Sequence, residues 1–355
     1  MTMTRPITLA HPHVGDAEID AVVRVLRSRQ LVQGSEVAAF EAEFANLVAG
    51  RHCVAVNSGT IALHLALRAC GIGPGDQVIL PSFTFGATAH AVAHTGATPI
   101  FTDIDPETFT LDPDATAAAI TSSTAAIIPV HLFGHPAAMN RLTALAAHHG
   151  LAVIEDAAQA AGAELGGTST GAFGHAAAFS FYPTKNMHAI EGGMVVTADE
   201  QVARRLRLLR NQGMPSRYKY ELIGFNGRMT DVSAAVGRVQ LRSLPSWTLR
   251  RQAHAAILTG KLHGVVTPPV RPDAVHVYHQ YVIRSHNRNA LRQQLVESRI
   301  ETEIHYPTPL HRSPAYGQPA DLPHTEQAAA EVLSLPVHPQ LTQSDLARIV
   351  TAVRR

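Results

Sequence analysis

The stretch Phe179–Val196, FSFYPTKNMHAIEGGMVV, holds a single lysine, Lys185, just after a Pro183-Thr184 turn between two apolar runs. The chain has 29 Lys plus Arg but only three lysines, Lys185, Lys219 and Lys261, so nearly every basic position is arginine and this one is not. Lysine differs from arginine in that its amine loses a proton when desolvated and then attacks a carbonyl, whereas a guanidinium stays charged. Residues 178–182 read as a strand with aromatics, and Gly192-Gly193 leads into a second apolar run at 194–197. A lysine on a turn between buried strands points into a site, which makes Lys185 a candidate Schiff-base residue. The stretch alone leaves an ordinary surface-loop lysine open.

Working outward, short apolar runs alternate with alanine-rich helical patterns: 53–56 then 60–70, 77–80 then 87–94, 98–102 then 113–120, 125–130 then 137–149, and 151–155. Strands buried on both faces and separated by helices imply a mostly parallel sheet covered on both sides, an α/β domain. An extended amino-terminal piece and two amphipathic helices, 16–28 with Ile19, Val22, Val23 and Leu26 on one face and 35–48 with Phe40, Phe44 and Leu47, precede it. After a helix at 200–210 and a polar region at 211–227, helices are expected at 231–241 and 245–264. Strand, helix, strand (278–283, 289–298, 302–304) and two closing helices from Thr325 and Thr342 then read as a smaller α+β domain. The expected division is 1–244 for the large domain and 245–355 for the small one.

Composition excludes several classes. No apolar run approaches the ~20 residues of a membrane span, and the amino end lacks the apolar segment of a secretory signal. A net charge of +1 gives no basic field for nucleic acid. Cys53 and Cys70 make neither a disulfide framework nor a cysteine zinc site, which suits a reducing cytoplasm. Twenty-one histidines show no HExxH or comparable pairing, so no metal is expected.

A Schiff-base lysine needs an electron sink, and the commonest is pyridoxal phosphate, which requires a phosphate site, a carboxylate for the pyridine nitrogen and an apolar face for the ring. Asn57-Ser58-Gly59-Thr60 follows the first strand and opens a helix, placing free N–H groups before an anion; an ordinary helix cap reads equally well there. Asp156 ends the apolar run 151–154, where such sheets bind ligands, and can hold a pyridinium charged. Gln159 can donate to the ring oxygen, and Phe85 in PSFTF can stack on the ring.

Taken together, these motifs resemble the DegT/DnrJ/EryC1/StrS family of sugar aminotransferases, pyridoxal phosphate enzymes of fold type I, the aspartate aminotransferase-like fold. VNSGTIALHLAL (56–67), PVHLFGHPAAM (129–139), VIEDAAQAAGA (153–163), FSFYPTKN (179–186), FNGRMTDVSAAVGRVQL (225–241) and IHYPTPLH (304–311) carry the resemblance over nearly the whole chain. It implies Lys185 as the cofactor lysine, Asp156 on the pyridine nitrogen, Gln159 near the ring hydroxyl and Phe85 on the ring face. It further implies Gly59, Thr60 and Ser180 at the phosphate, with Asn226 reaching the neighbouring subunit's phosphate in a homodimer. The implied reaction moves an amino group from an amino acid, L-glutamate, to the keto group of a nucleotide-linked sugar. A keto-cyclitol acceptor and a non-catalytic regulator are the alternatives. Three departures stand out: His188-Ala189-Ile190 where relatives carry small polar or glycine residues, Gly227 in place of an aromatic, and His135 in place of Gln. The first is expected to alter the substrate pocket.

Overall fold

The computed structural model describes residues 5–354; Met1 to Thr4 of the extended amino-terminal piece and Arg355 lie outside the described residues. Seven strands form one sheet in the spatial order His52–Val56, Gly193–Thr197, Ala176–Ser180, Ala152–Asp156, Thr124–Ile127, Gln77–Pro81, Thr98–Thr102. From Ala176–Ser180 outward to Thr98–Thr102 every pair is parallel, and only Gly193–Thr197 runs antiparallel to its neighbours. The strands are apolar throughout because both faces are covered. On one face Val54, Val78, Leu80 and Ile154 pack against Leu63 and Leu67 of the helix Gly59–Ala69 and Leu206 of the helix Glu200–Arg210. On the other, Phe179 and Phe181 meet Phe40 and Phe44 of the helix Ser35–Ala45, with Phe44 and Phe179 edge to face at 5.1 Å.

The parallel strands therefore deliver their carboxyl ends, Pro81, Asp156 and Ser180, to one rim of the sheet, the place where such sheets bind ligands. Lys185 lies on the turn joining Ala176–Ser180 to Gly193–Thr197 and belongs to that rim.

A second core gathers Leu295, Ile300, Leu333 and Ile349 with Leu258 and, from the amino end, Ile7. It surrounds the antiparallel pair Tyr281–Arg284 and Val332–Leu335, flanked by the helices Arg288–Glu297 and Gln343–Val353.

Three local expectations are corrected. Helices 231–241 and 245–264 are one helix, Asp231–Lys261, with Pro245 inside it; a proline removes one N–H and crowds the preceding turn, and the packed flanks carry the helix through. The strand expected at 302–304 is reduced to a single bridge between Glu303 and Ser334, and the true partner strand is Val332–Leu335. On the helix Asp16–Ser28 the buried positions are Glu18, Ala21 and Val25, while Ile19 and Leu26 are more than half exposed. Glu18 can be buried because Gln240 Nε2 and the Gly15 N–H donate to it at 2.7 and 2.9 Å. Among the described residues no helix is long and apolar enough to cross a membrane.

Candidate active site

Burial lowers the Lys185 ammonium to about 8, against the pull of the Asp156 carboxylate. Asp156 is buried, and burial raises it, opposed by Thr88, Ala158, Lys185 and His131. Thr88 Oγ1 donates to Asp156 Oδ2 at 2.8 Å and the Ala158 N–H reaches Oδ1 at 3.2 Å. These two hydrogen bonds fix the orientation of the carboxylate and, with the charge of Lys185, offset part of the cost of burying it at the strand end. No helix follows Asp156 directly, which removes helix capping as its role.

Ser58 is the cap of the helix Gly59–Ala69, its Oγ accepting from the Ile61 N–H at 3.2 Å. The cap reading therefore holds, and it leaves other first-turn N–H groups free for an anion. A Cβ on Gly59 would lie 2.7 Å from Ser180 Cβ, and one on Gly193 would lie 2.4 Å from the Ser58 carbonyl. Glycine at these two positions lets the loop close on Ser180, with Thr60 half-buried beside it.

Gln159 is held at both ends of its amide. Oε1 accepts from the Phe133 N–H at 2.6 Å, and Nε2 donates to the Tyr306 hydroxyl at 3.0 Å. Phe85 is 62% exposed at the start of the helix Gly86–Thr95 and 6.4 Å from the Tyr306 ring. An exposed aromatic at the rim, tilted beside a tyrosine, suits a planar ring better than a core. Pyridoxal phosphate thus fits on observations of this chain: an amine of depressed basicity, a buried carboxylate at the strand end and a helix-start loop whose two glycines leave no room for a Cβ. When bound, it supplies the electron sink for transamination. The residues that would hold it are Asp156 at the ring nitrogen, Gln159 and Phe85 at the ring, and Lys185, whose amine burial makes less basic than a solvated lysine.

Asn226 is exposed, and its backbone carbonyl accepts from Asn57 Nδ2 at 3.2 Å. It lies beside its own chain's strand-end loop with its side chain turned to no partner among the described residues.

The departures are placed as follows. His188 is buried, and its Nε2 donates to the His13 carbonyl at 2.9 Å, so it anchors the amino-terminal segment and does not line the pocket. Ile190 is half exposed and holds φ +66°, a left-handed conformation that a β-branched residue rarely adopts. Gly227 is buried, with Ile61 Cγ2 3.3 Å from where a Cβ would sit. His135 is buried, with Nδ1 2.8 Å from the Pro136 carbonyl.

Residue chemistry alone missed four contributors: Thr88, Tyr306, and the buried pair Glu155 and His131. Glu155 is fully buried and accepts from the Gly171, Phe173 and Gly174 N–H groups at 2.7 to 2.9 Å. The Ala137 N–H donates to His131 Nδ1, so His131 carries its proton on Nε2 and donates it to Glu155 at 3.0 Å. Burial raises Glu155, and the hydrogen bonds from His131, Gly174 and Gly171 outweigh it, leaving Glu155 below its usual value. A depressed folded value means that this stability is present above about pH 4.5 and is lost as pH falls through the lower folded value. Glu155→Gln sets an amide nitrogen against N–H donors; it is expected to lose about 3 to 5 kcal/mol, read by denaturant unfolding at pH 7. A loss under about 0.5 kcal/mol, the range of an ordinary surface change, contradicts the assigned role.

Ser82 Oγ and His311 Nδ1 lie 2.7 Å apart, with His311 Nε2 3.2 Å from Glu326. The Ser-His-Glu order is that of a hydrolase, but Ser82 is fully buried. The arrangement clamps the segment carrying Tyr306 onto the segment carrying Phe85.

The fold and this site define a pyridoxal phosphate-dependent aminotransferase. The chain belongs to the DegT/DnrJ/EryC1/StrS aminotransferase family, whose profile matches residues 12–354. It is 47% identical to the dTDP-3-amino-3,4,6-trideoxy-alpha-D-glucose transaminase of Streptomyces venezuelae, covering 95% of this chain and 92% of that one. It is 46% identical to the erythromycin biosynthesis sensory transduction protein EryC1 of Saccharopolyspora erythraea, covering 95% of each. The crystal structure of S. venezuelae DesV in complex with a ketimine intermediate superposes with a TM-score of 0.92 at 47% identity, covering 95% of this chain and 93% of that one.

Proposed function

We propose that the chain transfers an amino group from L-glutamate to the keto group of a nucleotide-linked sugar. The observation that carries the reading is Lys185, lowered to about 8 beside the buried Asp156 at the carboxyl rim of the sheet. The transaminase from S. venezuelae is named for a dTDP-linked aminosugar, which supports this acceptor class. Lys185, Asp156, Gln159, Phe85, Gly59, Thr60 and Ser180 serve the cofactor in the roles given above. Retention of the lysine and the carboxylate speaks against a purely regulatory protein, although one relative bears a sensory name. The test is direct. Glutamate should shift the visible absorbance of the cofactor-loaded protein, and a nucleotide-linked keto sugar should restore it. Restoration by a keto-cyclitol alone would reassign the acceptor, and no shift with any amino acid would favour a regulator.

The proposal includes a homodimer with shared sites, in the cytoplasm, in keeping with two unpaired cysteines. The segment before the long helix shows Tyr218, Tyr220, Ile223 and Phe225 to solvent, and Leu31 and Val32 are also exposed. Apolar surface of this kind around a site marks an interaction face, and Asn226 sits within it. Mixed dimers of Lys185→Ala and Asn226→Ala chains should contain one doubly defective and one intact site, recovering up to about half the activity per mixed dimer. No recovery on co-refolding would refute sharing. We further propose the division at 244 and 245, inside the long helix, on the support of the separate core beyond it.

A further inference from the structure

Gln159 presents a single chemical choice at each end. A backbone N–H only donates, so the amide atom 2.6 Å from the Phe133 nitrogen is oxygen, and the other is the NH2 group. One hydrogen of that group goes to the Tyr306 hydroxyl at 3.0 Å. Tyr306 is itself fixed: its ring stacks on Phe133 at 6.5 Å and 12°, meets Phe83 edge to face at 5.8 Å, and sits in the segment that His311 ties to Ser82. The contact joins residues 147 positions apart.

We propose that Tyr306 is a positioning residue for Gln159: by accepting one Nε2 hydrogen it leaves the second as the only donor the amide can offer the cofactor's ring oxygen. The inference rests on the cofactor reading above. Phe133 and Tyr306 together prevent the amide from turning its oxygen toward the ring, where it would repel the ring oxygen's negative charge. The hydroxyl arrives on the 304–311 segment, so the cofactor's electronic state depends on that segment being clamped in place.

A donor at the ring oxygen stabilises its charge and competes with the proton shared between that oxygen and the lysine nitrogen. Removing that donor, or freeing its amide by taking away the Tyr306 hydroxyl, lets that proton be held to higher pH. In Tyr306→Phe holoenzyme the absorbance midpoint of the bound cofactor is expected to move up by about half a pH unit or more. Turnover should fall about three- to tenfold with KM for the ketone little changed. Gln159→Ala should give a similar shift, and adding Tyr306→Phe to it should give no further one. An unchanged midpoint in Tyr306→Phe, or full additivity in the double variant, overturns the proposal. Wild-type protein that shows no bound-cofactor absorbance at all overturns the cofactor reading instead. Far-ultraviolet circular dichroism matched to wild type shows that the shift does not come from misfolding.

Discussion

Lys185→Ala is expected to abolish covalent attachment of the cofactor and to lower turnover by at least the roughly 10²- to 10⁴-fold that a positioned acid–base group contributes. Lys219, in the 211–227 segment, and Lys261, at the end of the long helix, are both exposed, and neither can replace it. Lys185→Arg should fail as completely, because a guanidinium does not give up its proton to become a nucleophile. Burial holds the Lys185 ammonium at about 8, which fixes the sign of a pH effect. Only the neutral amine attacks a carbonyl, so capture of pyridoxal phosphate by the cofactor-free protein should rise with pH up to about 8 and level off above. A capture rate that still climbs through pH 10 would show that Lys185 behaves as an ordinary solvated lysine.

Asp156→Asn should keep the protein folded and able to take up cofactor, since the amide oxygen can still accept from the Ala158 N–H and the amide NH2 can donate to the Thr88 hydroxyl, which turns to accept it. It removes the charge that holds the pyridine nitrogen protonated. A charged hydrogen bond of this kind contributes on the order of 1.5 to 3 kcal/mol, about ten- to a hundredfold in rate, and more where the reaction depends on the charge. Turnover per bound cofactor is the measurement. Near-normal turnover would reduce Asp156 to a structural partner of Thr88.

The sheet and the lysine were legible because both depend on local pattern. Continuous apolar runs announce parallel strands, and chemistry placed at their carboxyl ends announces a site. Glu155 was not legible although it is adjacent to Asp156. Successive residues of a strand face opposite sides of a sheet, and the partners that make its burial tolerable, His131 and the Gly171–Gly174 turn, come from other segments. Thr88 and Tyr306 were hidden for the same reason, being 68 and 147 positions from the residues they hold. His188 shows the opposite error. Closeness to Lys185 in sequence suggested the pocket, and the turn instead directs its ring to the His13 carbonyl. The helices expected at 231–241 and 245–264 are one, with Pro245 inside it, because tertiary packing on both sides decides the matter over propensity.

The central claim is that Lys185 is the residue that binds pyridoxal phosphate covalently. Borohydride reduction of the cofactor-loaded protein followed by peptide mapping tests it most directly. The account predicts one labelled peptide, with the mark on residue 185, and a label on Lys219 or Lys261, or none at all, would contradict it.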